Sequence, residues 1–417
     1  MLIEHPFFRS VAYAAAALLA ALGAACGDDS SGGAGGQGGG DPPSCTVRLA
    51  PGADDQTAVQ TALIEAEPGS TICFEAGTFS FTTEVSLDVE GVTLGGAGEG
   101  VTILDFSGQD TGANGMLIKS DGVTLQDFDV VNTPGDGIRA DSVAGITFRR
   151  VTVRWDADAS LDNGAYGFYP VGSTDVVLEA CTVKGARDAG IYVGQSERIL
   201  VEGCEAYGNV AGIEIENSTD AIVRNNYAHD NTGGILVFSM PGIPVQDGKR
   251  SNVYKNRIED NNVDNFGVPG TAVSKVPPGL GVLVLASDDN EVHDNEIRNN
   301  RSAGVVVLGY VEALFGTIDD VDYDRFAQGN SIHDNTFEGN GADPSLIVGS
   351  LTVIRPIPDV LWDGCVDAAA VDDGHLVNCV SEPAATYLNF NYCGDFPEPS
   401  QDVTPVTCAY DPLPTDY

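Results

Sequence analysis

A five-residue interval recurs along this chain without variation. Leu125, Phe148, Leu178, Val201, Val223, Val253, Val292 and Ile332 are followed, five residues later, by Val130, Val153, Val183, Ala206, Ala228, Ile258, Ile297 and Phe337. A third apolar set comes next: Ile138, Phe168, Ile191, Ile213, Ile235, Val282 and Val305, each preceded by glycine. The shortest repeats are 22 or 23 residues and the longer ones 30, 39 and 40. The added length falls at two corners only. One lies between the second and third sets, in the repeats opening at Phe148 and Val253; the other follows the third set, after Ile235 and Val305. Constant short segments with variable corners are what a solenoid permits, because its surface loops lengthen at little entropic cost.

Each set sits in a short β-type alternation, such as Gly-Ile-Glu-Ile-Glu at 212–216. Three strands per repeat, without the LxxLxL spacing or helical segment of a leucine-rich repeat, predict an all-β, right-handed parallel β-helix over residues 71–343. Its three apolar sets form interior columns. Asn226, Asn256, Asn295 and Asn335 make one polar column, and Asn209, Asn231, Asn261, Asn300 and Asn340 another. Both are expected to be structural ladders at tight corners, where asparagine tolerates left-handed backbone. Residues 54–66 predict a helix N-capped by Asp54 or Asp55, with Val59, Leu63 and Ile64 on its apolar face. This N-terminal cap (44–70) would cover the open end of the solenoid. Residues 344–417 lose the repeat, gain Pro and Cys, and read as a C-terminal cap.

At the N-terminus, Arg9 precedes an apolar run from Val11 to Leu22 and then Gly23-Ala24-Ala25-Cys26. The run is too short for a comfortable membrane span. Residues 1–25 resemble a lipoprotein-type signal peptide, which implies lipidation at Cys26, and the Gly- and Ser-rich 26–43 reads as a flexible tether. The expectation is an exported, envelope-attached monomer held to the membrane only by its lipid. Without Cys26, eight cysteines remain, an even number suited to an oxidising compartment. Cys45–Cys73 and Cys181–Cys204 are the expected pairs, the alternative for the second being a stack of buried thiols. Cys365, Cys379, Cys393 and Cys408 would staple the C-terminal cap. The net charge of -41 repels nucleic acid and anionic surfaces, and polyuronates too unless a cation bridges them.

The segments GAYGFYPV (164–171), GIYVGQS (190–196), AGIEIENS (211–218), NTGGILVF (231–238) and VPPGLGV (276–282) carry a family likeness. From about residue 70 to 340 the chain resembles the pectin-lyase-like right-handed β-helix superfamily, and within it a group of bacterial parallel β-helix repeat lipoproteins. The resemblance implies the fold and a carbohydrate or cell-surface context. YGFYPV (166–171) is similar to the YGFDPH segment of alginate C5-epimerases, but Tyr169 stands for its acid and Val171 for its histidine, so the matching catalytic groups are missing.

The inserts of the Phe148 and Val253 repeats project from one corner four rungs apart, about 19 Å at the interstrand spacing. They would wall a trough suited to a polysaccharide chain, with Arg187, Asp188, Tyr192, Glu214, Glu216, His229 and Asp230 on its floor. Trp155, Tyr166 and Tyr169 near the first wall are candidate sugar platforms, or packing for the insert. Glu214 and Glu216 flank inward Ile215 and point outward from one strand. They could act as acid and base in glycoside chemistry, share a calcium ion, or simply form an acidic outer face. Asp156, Asp158 and Asp162 are a candidate calcium loop. Asp319, Asp320, Asp322 and Asp324 form another, which fails the EF-hand pattern because Arg325 takes the glycine position and Ser331 the terminal glutamate. Three functions follow as expectations: polysaccharide binding, a polysaccharide lyase or glycoside hydrolase, and a passive surface scaffold or adhesin.

Overall fold

The computed structural model describes residues 44–367, 374–394 and 398–416. The signal-like segment, the tether and Cys26 lie outside them. Every interior column expected from the sequence is found in register. Phe148, Leu178, Val201, Val223, Val253, Val292 and Ile332 pair rung to rung in parallel. The second column runs from Val153 to Phe337. The third runs from Ile138 to Val305. Nearly all of these side chains are fully buried in one continuous core. Burying about three aliphatic side chains per coil, at roughly 1.5–3 kcal/mol each, is the main cohesive force of such a stack.

The corners are built as the ladders require, with one shift of position. Asn226 Nδ2 donates to Asn256 Oδ1 at 3.0 Å, Asn256 to Asn295 at 3.0 Å and Asn295 to Asn335 at 2.9 Å. The left-handed residue is not the asparagine but the one before it: Asn225, Lys255, Asp294 and Asp334 have φ of 52–56°. Placing the turn one residue early leaves each amide free to bond both its stacked neighbour and a backbone carbonyl.

The stack extends beyond both ends of the sequence repeat. Val47–Leu49 pairs with Thr71–Phe74, and Cys379–Ser381 and Val360–Trp362 continue the first and third columns. The helix Asp55–Ile64 is N-capped by Asp54, whose carboxylate accepts the Thr57 N–H at 3.2 Å. Val59 and Leu63 face the core as expected, but Ile64 is exposed.

Disulfides join Cys45 to Cys73, Cys365 to Cys393 and Cys379 to Cys408. These are bonds of an oxidising, exported compartment. Cys181 and Cys204 correct the expected fourth pair: both are buried free thiols. They occupy the asparagine column and take over its hydrogen bonding. Cys204 Sγ accepts the Cys181 N–H at 3.4 Å, and the Cys204 N–H goes to Asn226 Oδ1 at 2.9 Å. Stacking places the two residues on adjacent rungs, and the thiols point to backbone carbonyls, Cys181 Sγ to Glu179 at 3.6 Å and Cys204 Sγ to Leu178 and Glu202 at 3.6 and 3.5 Å.

Candidate functional site

The outer face of the third column divides into two chemically distinct halves. Reading one outward position rung by rung gives Arg139, Tyr169, Tyr192 and Glu214, and then Leu236, Leu283, Val306, Leu361 and Leu388. The next outward position gives Gly194 and Glu216, then Phe238, Leu285 and Leu308. Polar side chains thus end at the strand Ala211–Glu216, and the next three rungs, as far as Val306 and Leu308, are apolar at both positions.

Corner inserts cover the junction. The insert of the Val253 repeat brings Thr271, Ala272, Val273 and Val276 over the sheet. Asn265 clamps it by donating to the Val273 and Val276 carbonyls, both at 2.9 Å. The loop after Phe238 supplies Met240, tied back to Asn217 by hydrogen bonds at 2.7 and 3.0 Å. The long insert after Val305 contributes Phe315 from the short helix Glu312–Phe315. These groups border a cavity of ≈ 180 Å³, whose polar wall is Tyr166, Asp188, Tyr192, Glu214 and Glu216; the insert of the Phe148 repeat, expected as the other wall of a trough, contributes no lining residue.

Alternation along Gly-Ile-Glu-Ile-Glu turns Glu214 and Glu216 outward, yet Glu214 is only 3% exposed because the inserts shield it. No described residue hydrogen-bonds its carboxyl. Burial first, then the neighbouring Asp188 and Glu216 charges, push its pKa well above the ordinary glutamate range. Burial also raises Asp188, to about 7, although a hydrogen bond with the Tyr166 hydroxyl opposes the shift. Glu216 is raised by burial and partly restored by the Tyr192 hydroxyl, which donates to Oε2. Asp136, near the polar end, is lifted to about 6, again chiefly by burial. The cavity therefore sets a carboxyl whose charged form burial disfavours beside a carboxyl whose charged form is hydrogen-bonded, the combination that general acid–base chemistry uses.

The tyrosines form one cluster. Tyr166 stacks on Tyr169 with centroids 4.5 Å apart, and Tyr192 meets them at 4.9 and 4.8 Å. The Arg139 guanidinium lies 4.8 Å over the Tyr169 ring and pairs with Asp141 at 2.8 Å. Arg187 is tied to the first insert through the Leu161 carbonyl at 2.9 Å.

Other sequence candidates go elsewhere. Trp155 is buried, and its Nε1 donates to the Thr133 carbonyl at 2.7 Å, so it packs a corner and presents no sugar platform. His229 and Asp230 lie on or beside the second-column strand Tyr227–His229, in the other sheet. There the imidazole stacks on Tyr227 at 3.9 Å and bonds Asp230 and Glu205. The corner between columns turns that strand's outer face away from the cavity. Asp156 is held below the usual range by Asn132, with Arg154 assisting, and Asp158 pairs with Lys184 at 3.0 Å. Among the described residues no three His, Cys, Asp or Glu side chains are grouped to hold a metal ion.

The sequence reading missed the apolar walls: Leu236, Phe238, Val276, Leu283, Leu285 and Phe315. A signal for some of them was present. The runs Ile235–Phe238, Val282–Leu285 and Val305–Leu308 abandon alternation, which marks strands covered on both faces.

Residues 90–241 and 166–354 match the family model described as a right handed beta helix region. Among solved structures, the A-module of the Azotobacter vinelandii mannuronan C-5 epimerase AlgE6 is similar with a TM-score of 0.54 at 19% identity, over 78% of this chain and 81% of that one. The GH136 lacto-N-biosidase of Eubacterium ramulus is similar with a TM-score of 0.50 at 13% identity, over 67% and 60%. No protein of curated function matches the sequence.

Proposed function

We propose that this chain, which belongs to the right-handed β-helix family, is an exported saccharide-binding protein that hydrolyses a glycosidic bond in the cavity around Glu214. One observation carries the reading: a buried carboxyl with no hydrogen-bond partner among the described residues faces the cavity, beside a carboxyl bonded by a tyrosine hydroxyl. Such a group is costly to fold around, and perturbed acids of this kind concentrate at reactive sites. Glu214 donates its proton to the glycosidic oxygen as the bond from that oxygen to the anomeric carbon breaks. Glu216, as the carboxylate that the Tyr192 hydroxyl favours, takes a proton from the water whose oxygen adds to that carbon. One glycosidic bond and one water are consumed, and a new reducing end and a free hydroxyl appear. The apolar ring faces of Tyr166, Tyr169 and Tyr192 suit sugar C–H surfaces.

The acids around the site and the net charge of -41 favour a neutral saccharide over a polyuronate. The two similar structures bear the names of carbohydrate-acting enzymes, which agrees with the reading. The signal-like leader supports attachment through Cys26, with residues 26–43 as a tether and the solenoid as a monomer.

The tyrosine cluster alone favours a second reading, saccharide binding without turnover. Incubation of the protein with a panel of neutral oligosaccharides, followed by product analysis, separates the two. New reducing ends that vanish in Glu214→Gln support hydrolysis. Binding without product supports the second reading, and a Glu214→Gln protein with full turnover would overturn the first.

A further inference from the structure

The apolar half of the outer face opens into a second cavity of ≈ 310 Å³. Its floor includes Leu283, Leu285, Val306 and Leu308, and its cover comes from Leu314 and Val348 on two separate inserts. Leu283, Leu285 and Phe315 line this cavity and the carboxyl cavity alike, so the two are neighbours sharing one wall. From the Glu214 strand to the Val306 strand is three rungs, about 14 Å along the stack. The mouth is also apolar, for Ile347 and Tyr392 line the hollow and are 46% and 51% exposed.

We infer that the site takes an amphiphilic glycoside, with its sugar at Glu214 and Glu216 and an alkyl or acyl chain in the apolar cavity. A plain oligosaccharide would find few polar partners there, because the lining is apolar apart from Ser350, Tyr392 and Asp363, whose carboxylate already accepts the Gly309 and Cys365 N–H groups. A chain attached to the sugar would remove this surface from water. The charge of the protein disfavours an anionic headgroup, so a neutral glycolipid or alkyl glycoside is the class that fits. The inference rests on the reading of the Glu214 cavity as a saccharide site.

The test is calorimetric titration of the full chain, as Glu214→Gln to prevent turnover, with hexyl, octyl and decyl maltosides below their micelle thresholds. Free maltose and an alkyl polyoxyethylene ether of matched length serve as controls. Each added methylene is expected to tighten binding about fourfold until the cavity is full. Leu314→Glu or Ile347→Glu, both on inserts outside the solenoid core, should abolish that increment and leave maltose binding unchanged. Affinity independent of chain length, with maltose still bound, would overturn the inference and spare the saccharide reading. Equal binding of the sugar-free ether and the maltosides would leave the apolar cavity standing and overturn the saccharide reading.

Discussion

Tyr192 stands opposite Glu214 in the rung-to-rung register, but its hydroxyl is donated diagonally to Glu216. The two glutamates of one strand are therefore chemically unlike. Glu216 receives a hydrogen bond that favours its anion, and Glu214, on the more enclosed side, receives none from the described residues. A pair of identical residues two positions apart acquires an acid and a base from its surroundings.

Glu214→Gln removes the transferable proton of the proposed acid and keeps the shape of the side chain. Turnover on any neutral glycan substrate should fall by roughly 10²–10⁴. Unfolding stability should stay within about 1 kcal/mol of the parent, measured by chemical denaturation.

Tyr192→Phe removes the group that restores Glu216. The Glu216 pKa should rise, moving the acid limb of the activity profile to higher pH while the alkaline limb, set by Glu214, stays in place. A pH–rate comparison reads this directly, and an unmoved acid limb would take Glu216 out of the base role.

Stability should depend on pH in two windows of the same sign. Asp188 is lifted from 3.8 to about 7 by burial, so the folded state holds its proton longer than the unfolded chain. That contribution is complete below about pH 4 and is lost as the pH rises towards 7. His333 is raised from 6.5 to about 9, first by its hydrogen bond to Glu291 and also by Asp334. Its contribution is complete below pH 6.5 and is lost between 6.5 and 9. Melting curves should flatten in the lower window for Asp188→Asn and in the upper one for His333→Gln.

The corner ladder predicts its own mutational pattern. Asn256 Nδ2 donates to Asn295 and to the Val223 carbonyl, and its Oδ1 accepts from Asn226. Asn256→Ala should cost about 2–4 kcal/mol by leaving several buried groups unpaired. Cys204 sits in the same column, so Cys204→Asn should be tolerated better than Cys204→Ala. Thiol labelling of a chain comprising residues 44–417 should find none reactive when folded and two, Cys181 and Cys204, after denaturation.

The interior was legible because its signal is local and repeated. Five residues separate Phe148 from Val153 and Val292 from Ile297, and a parallel stack preserves that spacing in every coil. The outward direction of Glu214 and Glu216 followed from the same alternation. What covers them did not, since 262–279 and 309–329 are aperiodic inserts whose path depends on contacts such as Asn265 with Val273. For the same reason the acidic face expected to meet water is enclosed, and His229, placed on the trough floor by proximity in sequence, lies around a corner from it. Cys181 and Cys204 show the remaining gap: column adjacency gives a separation but not the direction of a side chain.

The proposed chemistry requires Glu214 to hold a proton at neutral pH. Infrared difference spectroscopy of the parent against Glu214→Gln at pH 7 measures it directly. A protonated-carboxyl C=O band present in the parent and lost in the variant is the predicted result; loss of a carboxylate band instead would contradict it.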